Sequence, residues 1–393
     1  MFHTRRDFLK SSLLASGLTV PGFLGRTALA APTADKAGAK DTILVVVQLT
    51  GGNDGVNTVI PFADPEYAKL RPTLKVPVEQ IRKVNDSIGL HPSLTGFAEL
   101  LDDNKLCIVQ GVGYPNPDQS HFRSMDIWHG GSLDKTITEG WLGKTLKKSP
   151  ATPSFHVAAG NESAPLALTG APVRVPSITS LADFQLKTAG ATRTDDKEQR
   201  TLIENVAQPT SPGSEPNLLD FVKRTAVNTY ASSKRLQEIA KNYQPKATYP
   251  ATGLANRLKL AAQLIDADLG ARLFYVSIDG FDTHAGQAGS HPALLQEVSG
   301  AMTAFYKDMA ARGQQDRILM LTFSEFGRRG FENGSRGTDH GAAAPVLLIG
   351  GKVKPGLVGE HPALTNLDMG NLKHHTDFRQ VYATVLDQWL GIS

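Results

Sequence analysis

Five short, largely apolar runs do most to limit what this chain can fold into. Residues 43–47, 106–112, 272–278, 317–323 and 345–349 are rich in Val, Ile, Leu and Phe, and polar or turn-forming residues bound each of them. Runs without polar alternation suit strands buried on both faces, as in a parallel sheet. Helical patterns lie between and after them, at 92–101, 120–128, 292–312 and 376–390, with two more at 217–243 and 254–269. Strands alternating with helices predict an α/β chain: three α/β/α layers around a mostly parallel central sheet, joined by right-handed crossovers. Residues 154–178 contain strand-like pieces with turns and are expected to form a cap or a small side sheet. A polar tract at 187–216, with Asp195-Asp196-Lys197-Glu198 and Pro209-Thr210-Ser211-Pro212-Gly213, reads as an exposed insertion. The strand pattern resumes after it, so residues 41–393 are expected to form one domain.

The first 40 residues have another purpose. Arg5-Arg6-Asp7-Phe8-Leu9-Lys10 precedes an apolar run at 11–24 and Ala28-Leu29-Ala30. Paired arginines, a mildly hydrophobic stretch and an Ala-x-Ala end predict a twin-arginine export signal over 1–30, followed by a flexible leader at 31–40. The expected partner in export is the twin-arginine translocase, and the destination is the periplasm or beyond. No segment is long and apolar enough to predict a membrane span in the mature chain. The formal charge of the full chain is +3. Without the signal, its basic and acidic side chains balance, so the composition gives no sign of the basic surface that nucleic-acid binding needs, and no nucleic-acid partner is expected. Cys107 is the single cysteine and lies in an apolar run, so no intrachain disulfide is possible and a buried, inert thiol is expected.

Chemistry-bearing residues collect beside the five runs. In open α/β sheets, loops beyond the carboxyl ends of the strands meet around the ligand. Gly51-Gly52-Asn53-Asp54-Gly55 follows the first run, and a Gly/Pro loop leading to Ser120-His121-Phe122-Arg123 follows the second. Asp279-Gly280-Phe281-Asp282-Thr283-His284 ends the third, and Ser324-Glu325-Phe326-Gly327-Arg328-Arg329 ends the fourth. Gly337-Thr338-Asp339-His340-Gly341 comes just before the fifth, where its glycines permit close backbone approach. Carboxylate oxygens and imidazole nitrogens gathered from separate loops suit zinc, manganese or a similar divalent cation. Taken singly, each motif has a plainer reading. Asn53-Asp54-Gly55 and Asp279-Gly280 are common turn sequences, Ser120 suits a helix cap, and His340 alone suits a hydrogen-bonded structural role. Glu325 follows an apolar strand and would be costly to bury without a cation or a donor.

The segments 45–61, 120–131, 279–284, 321–329 and 337–350, in that order, resemble the domain-of-unknown-function 1501 family, exported bacterial proteins related to the alkaline-phosphatase-like, or sulfatase-like, superfamily. The resemblance spans nearly the whole mature chain. It implies an alkaline-phosphatase-like fold and metal-assisted transfer of a phosphoryl or sulfuryl group to a hydroxyl at a helix N-terminus. On that pattern Ser120 matches the nucleophile, with Ser124 as the competing position, and His121 is a ligand or proton carrier. Asp54, Asp279 or Asp282 with His284, and His340 match metal positions, Glu325 stands where an aspartate is usual, and Asp339 beside His340 is a further candidate ligand, the metal being zinc, manganese or calcium. Asn53, Arg123 and Arg328 would meet the substrate, the arginines gripping oxyanion oxygens bidentately. Phe326 stands where a histidine is usual, and Ser120 to Ser124 does not fit a formylglycine motif.

The resulting expectation is an exported, metal-dependent hydrolase of a small or polymer-linked phosphate or sulfate ester. A non-catalytic exported scaffold or binding protein on the same fold is the alternative. A serine esterase ranks last, because the chain has no Gly-x-Ser-x-Gly elbow.

Overall fold

The computed structural model describes residues 41–148, 153–172, 174–181, 238 and 242–392. The expected export signal and leader, the insertion at 187–216 and almost all of the helical stretch at 217–243 lie outside those residues.

All five apolar runs are strands. In chain order the strands are β1 (Ile43–Leu49), β2 (Val59–Ile60), β3 (Arg82–Lys83), β4 (Gly89–Leu90), β5 (Leu106–Gly113) and β6 (Ser154–Val157), then β7 (Ser177–Ile178), β8 (Leu273–Ile278), β9 (Ile318–Phe323), β10 (Ala344–Gly350), β11 (Gly356–Val358) and β12 (Thr376–Asp377). The main sheet runs β11-β5-β10-β9-β1-β8-β6-β7, with β12 beside β5, while β2, β4 and β3 form a small separate sheet. β6 and β7 extend the main sheet at its edge instead of forming a cap or side sheet.

β1 lies at the centre, parallel to both neighbours, with Leu44 opposite Leu273 on β8 and Leu319 on β9. Its side chains alternate between two cores. Ile43, Val45, Val47 and Leu49 enter one, and Leu44 and Val46 enter the other. That double burial explains the uninterrupted apolar sequence, since each buried aliphatic side chain contributes about 1.5–3 kcal/mol.

The helices are α1 (Gly55–Thr58), α2 (Pro65–Leu70), α3 (Thr95–Asp102), α4 (His121–Gly130), α5 (Trp141–Lys148), α6 (Gly253–Asp266), α7 (Gln287–Ala310) and α8 (Phe378–Thr384). α3, α6 and α7 supply Phe97, Leu258 and Phe305 to the first core. α4, α5 and α8 supply Trp128, Trp141 and Phe378 to the second, which completes three layers. α7 begins five residues earlier than its sequence pattern implies and carries Pro292 inside it. A π-helical turn, Val385–Leu390, continues α8 and ends at Gly391 in the left-handed region (φ 68°). Among the described residues, no helix is long and apolar enough to cross a membrane.

One strand breaks the parallel rule. β10 is antiparallel to both β5 and β9, whereas every other pairing in the main sheet is parallel. The start of β10 therefore sits at the edge where β1, β5, β8 and β9 finish.

A candidate metal centre at the strand ends

Four loops meet at that edge. Ser120 occupies the position just before α4 and His121 opens the helix, Asp282 and His284 follow β8, Glu325 follows β9, and Asp339 and His340 precede β10. The loops after β9 and before β10 are zipped together by backbone bonds from Arg329 to Asp339 (3.0 Å), Gly327 to Ala342 (2.8 Å) and Gly341 to Gly327 (2.8 Å). Two glycines are needed for this packing. A Cβ on Gly337 would lie 2.2 Å from the His284 carbonyl carbon, and one on Gly51, at φ +116°, would lie 2.4 Å from the Asp282 nitrogen.

At the centre, His121, Asp282 and His340 offer ligand atoms that all lie within 4.8 Å of one another. His284 joins them, its Nε2 lying 2.8 Å from His340 Nε2 and 3.1 Å from Asp282 Oδ1. His340 Nε2 also lies 3.1 Å from Asp282 Oδ1, and His121 Nε2 lies 3.4 Å from Asp282 Oδ2.

The far side of each ring sets its tautomer. His340 Nδ1 is 2.8 Å from the Gln119 carbonyl, which can only accept. His121 Nδ1 is 2.8 Å from Glu325 Oε1, and His284 Nδ1 is 3.3 Å from Asp339 Oδ1. These acceptors favour the tautomer with the ring proton on Nδ1, the form in which Nε2 presents a bare lone pair. Three such lone pairs then face one carboxylate and, at His284 and His340, each other. That arrangement is repulsive unless a cation sits among the four groups. Burial lowers the His340 pKa, which favours the neutral form of that ring. Asp282 supplies negative charge: partial burial raises its pKa, but the Arg328 hydrogen bond, with His340 and His284, holds it at about 2.

Ring nitrogens that turn their outer N–H toward a carboxylate or carbonyl are the usual support of metal-binding histidines. Three imidazoles and one carboxylate fit zinc well; calcium, which prefers six to eight oxygens, does not fit. Phe326 walls the site, its ring centroid 4.6 Å from that of His340 and 5.0 Å from that of His121.

The family model "Protein of unknown function (DUF1501)" matches residues 41–390. The chain belongs to this family. No curated protein matches it. Among solved structures, it is similar to the C-terminal periplasmic domain of EcEptC from Escherichia coli, in complex with Zn. The TM-score is 0.41 and the identity 10%, covering 90% of this chain and 85% of that one. It is also similar to the lipoteichoic acid synthase LtaP from Listeria monocytogenes, with TM-score 0.39 and 8% identity over 95% and 78% of the two chains. A protein in the alkaline phosphatase superfamily from Vibrio parahaemolyticus follows, with TM-score 0.37 and 9% identity over 85% and 69%.

Several residues of this DUF1501 chain stand elsewhere than the sequence suggests. Asp54 lies outside the group of His121, Asp282 and His340; it is fully buried against Arg71, with Nη1–Oδ2 2.5 Å and Nη2–Oδ1 2.9 Å, and also accepts from Gln287. Burial raises its pKa, but Arg71, with His291 and Gln287, brings it down to about 2. Asn53 is buried as well, its Oδ1 taking bonds from Thr58 Oγ1 (3.1 Å) and His291 Nε2 (3.0 Å). Asp279 is exposed at the end of β8, outside the cluster.

The guanidiniums of Arg123 and Arg328 are both engaged within the fold. Arg328 is fully buried, donating to the carbonyls of Gly52 (2.8 Å), Thr338 (2.7 Å), Phe281 (3.0 Å) and Gly51 and to Asp282 Oδ1 (2.5 Å). It therefore ties the loops after β1, β8 and β9 together instead of awaiting an oxyanion. Arg123 donates to the carbonyls of Leu133 (3.2 Å), Asp134 (2.5 Å) and Lys135 (3.3 Å), pinning the loop after α4.

Glu325 and Asp339 lie behind the histidines, not among the facing atoms. Ser124 is buried and bonded to Tyr114 Oη (2.8 Å) and to the Glu325 carbonyl. Ser120 is exposed at the N-terminus of α4, and its hydroxyl makes no capping bond. Arg71 and Gln119, missed in the sequence, carried no local signal: one is distant from its partner and the other acts through its backbone.

Proposed function

We propose that this protein is a metal-dependent hydrolase of phosphate or sulfate esters, acting outside the cytoplasm, with Ser120 as nucleophile. The reading rests on one observation above all: three rings whose Nδ1 atoms are held by acceptors turn their Nε2 atoms toward one ionised carboxylate. His121, His284, His340 and Asp282 would hold a zinc-like cation, with Glu325, Asp339 and the Gln119 carbonyl fixing the rings. When bound, the metal supplies Lewis-acid stabilisation of the ester oxygens and lowers the pKa of a coordinated hydroxyl. Ser120 sits beside ligand His121 at the positive end of α4, where the free N–H groups of the first turn favour an anionic ester. Its Oγ attacks phosphorus or sulfur, the ester's alcohol departs, and water hydrolyses the resulting seryl ester. Export to the periplasm belongs to the same reading, on the strength of the twin-arginine pattern over 1–30.

Metal analysis of protein purified from an unheated periplasmic extract, followed by a phosphatase and sulfatase substrate panel, tests this. One metal per chain, lost in His340→Ala, together with turnover lost in Ser120→Ala, is the expected result. A folded wild-type chain that binds no divalent metal would remove the reading.

A second reading, a non-catalytic exported scaffold, draws on Asp54, Arg123 and Arg328. All three are engaged within the fold, which leaves neither arginine to meet a substrate oxyanion. Stoichiometric metal without turnover on any ester of the panel would favour it.

A further inference from the structure

Three large hydrophobic side chains among the described residues stand exposed: Val78, Phe122 and Met369. Phe122 is 87% exposed and Met369 82%, and both belong to segments tied to the histidine cluster. Phe122 follows ligand His121 in the first turn of α4. Met369 stands at the tip of a two-residue turn closed by the Asp368–Asn371 bridge, with N–H···O distances of 2.9 and 2.8 Å.

Gln119 connects the two segments. Its carbonyl accepts from His340 Nδ1 at 2.8 Å, and its side-chain amide donates to Asn371 Oδ1 at 2.9 Å. The turn is also held from the β9 side, where Gly330 N–H donates to the Gly370 carbonyl at 2.9 Å.

Met369 is an unexpected occupant of its position. Its φ is +49° and that of Gly370 is +88°, the left-handed pair of a tight hairpin turn, for which Asn-Gly is the favoured sequence. A methionine there combines an unfavourable backbone conformation with an apolar side chain left in water. Strain of this kind, observed beside a candidate site, points toward function.

We infer that Phe122 and Met369 form an apolar lip to the histidine–aspartate centre, receiving the hydrocarbon part of an ester whose alcohol is a long alkyl or aryl group. The inference rests on the ester-hydrolase reading above and narrows it: the preferred substrates carry an apolar leaving group, whereas sugar and other small polar esters bind weakly. Both side chains are almost fully solvated, so replacing them removes no packing. Met369→Asn suits the turn better than the native residue.

Titration calorimetry of the zinc-loaded full chain with methyl- and octylphosphonate, and with methane- and octanesulfonate, tests the lip without requiring turnover. The octyl member of the preferred pair should bind roughly tenfold or more tightly than the methyl member, since its extra methylenes leave water. In Phe122→Ser and Met369→Asn that ratio should fall severalfold while the methyl affinity stays unchanged. Equal affinity for methyl and octyl ligands, or an octyl preference untouched in both variants, overturns the lip and leaves the ester site standing. Binding of none of the four probes by metal-loaded protein overturns the ester site and the lip together.

Discussion

His121 Nδ1 lies 2.8 Å from Oε1 of Glu325, a carboxylate wholly shut off from solvent that also accepts the Gly51 N–H at 2.9 Å. One acid therefore joins the glycine turn after β1 to the ring that opens α4. Glu325→Gln keeps the volume, and its amide oxygen can still accept from both donors, but the side chain loses the negative charge behind His121 and turns an NH2 group toward the Gly51 N–H in place of Oε2. Metal affinity, read by competition with a calibrated chelator, should fall about 10- to 100-fold, as is typical when an outer partner of a ligating histidine is changed. Glu325→Ala should also be less stable by ~1–3 kcal/mol, because the buried Gly51 N–H loses its acceptor.

Asp54 and Arg71 predict a separation of stability from metal loading. Removing one member of a buried ion pair strands the other charge and costs about 3–5 kcal/mol. Asp54→Asn should therefore shift the denaturant midpoint strongly. Metal content of the protein that remains folded should stay at the wild-type level, because the cluster is built without Asp54. Metal lost from folded Asp54→Asn protein would return this carboxylate to the centre.

The contrast between these sites explains what could be read in advance. The five strands were legible because burial on both faces imposes an unbroken apolar run, as β1 shows with alternate residues in two cores. The Asp282–His284 pairing was legible in part: two residues apart in one loop keeps them close, but the sequence offered Asp279 as an equal alternative. The direction of β10 was not, since hydrophobic pattern carries no polarity, and yet that direction delivers His340 to the cluster. Arg328 and Arg329 are chemically identical neighbours; only the packed loops decide that the first is buried among carbonyls. The Asp54–Arg71 pair is 17 residues apart and leaves no local trace.

Acid should weaken the fold in two stages. Burial lowers the pKa of His91, His129 and His291 to about 4. Unfolded histidines titrate near 6.5, so the unfolded chain binds more protons between those values, and stability falls as pH drops from about 6.5 to about 4. For His129, held by Gln48 Oε1 at 2.8 Å in the second core, the loss is on the order of 3 kcal/mol. Asp54, with its pKa lowered to about 2, adds a further loss below the unfolded carboxylate value of 3.8. Thermal melts at pH 7 and pH 5 should show a clear drop for the wild type. The drop should be smaller for His129→Gln, which has no proton to take up. Equal slopes in the two proteins would refute the assignment.

Ser120 and Ser124 lie one helical turn apart on α4, and their environments predict opposite phenotypes. Ser124 is sealed in, with Tyr114 Oη at 2.8 Å and the Glu325 carbonyl as partners, so Ser124→Ala breaks buried bonds and should cost ~1–3 kcal/mol. Turnover per folded, metal-loaded molecule should survive, because no substrate reaches that hydroxyl. Ser120 is exposed and makes no capping bond, so Ser120→Ala should change stability by less than about 0.5 kcal/mol. On the proposed mechanism it should nevertheless abolish ester hydrolysis while leaving metal stoichiometry intact, because the proposed nucleophile is gone but the four proposed ligands remain. Measuring melting temperature, metal content and turnover on both variants separates the two serines. Retained turnover in Ser120→Ala would move the nucleophile elsewhere, to water or to another hydroxyl at the strand ends.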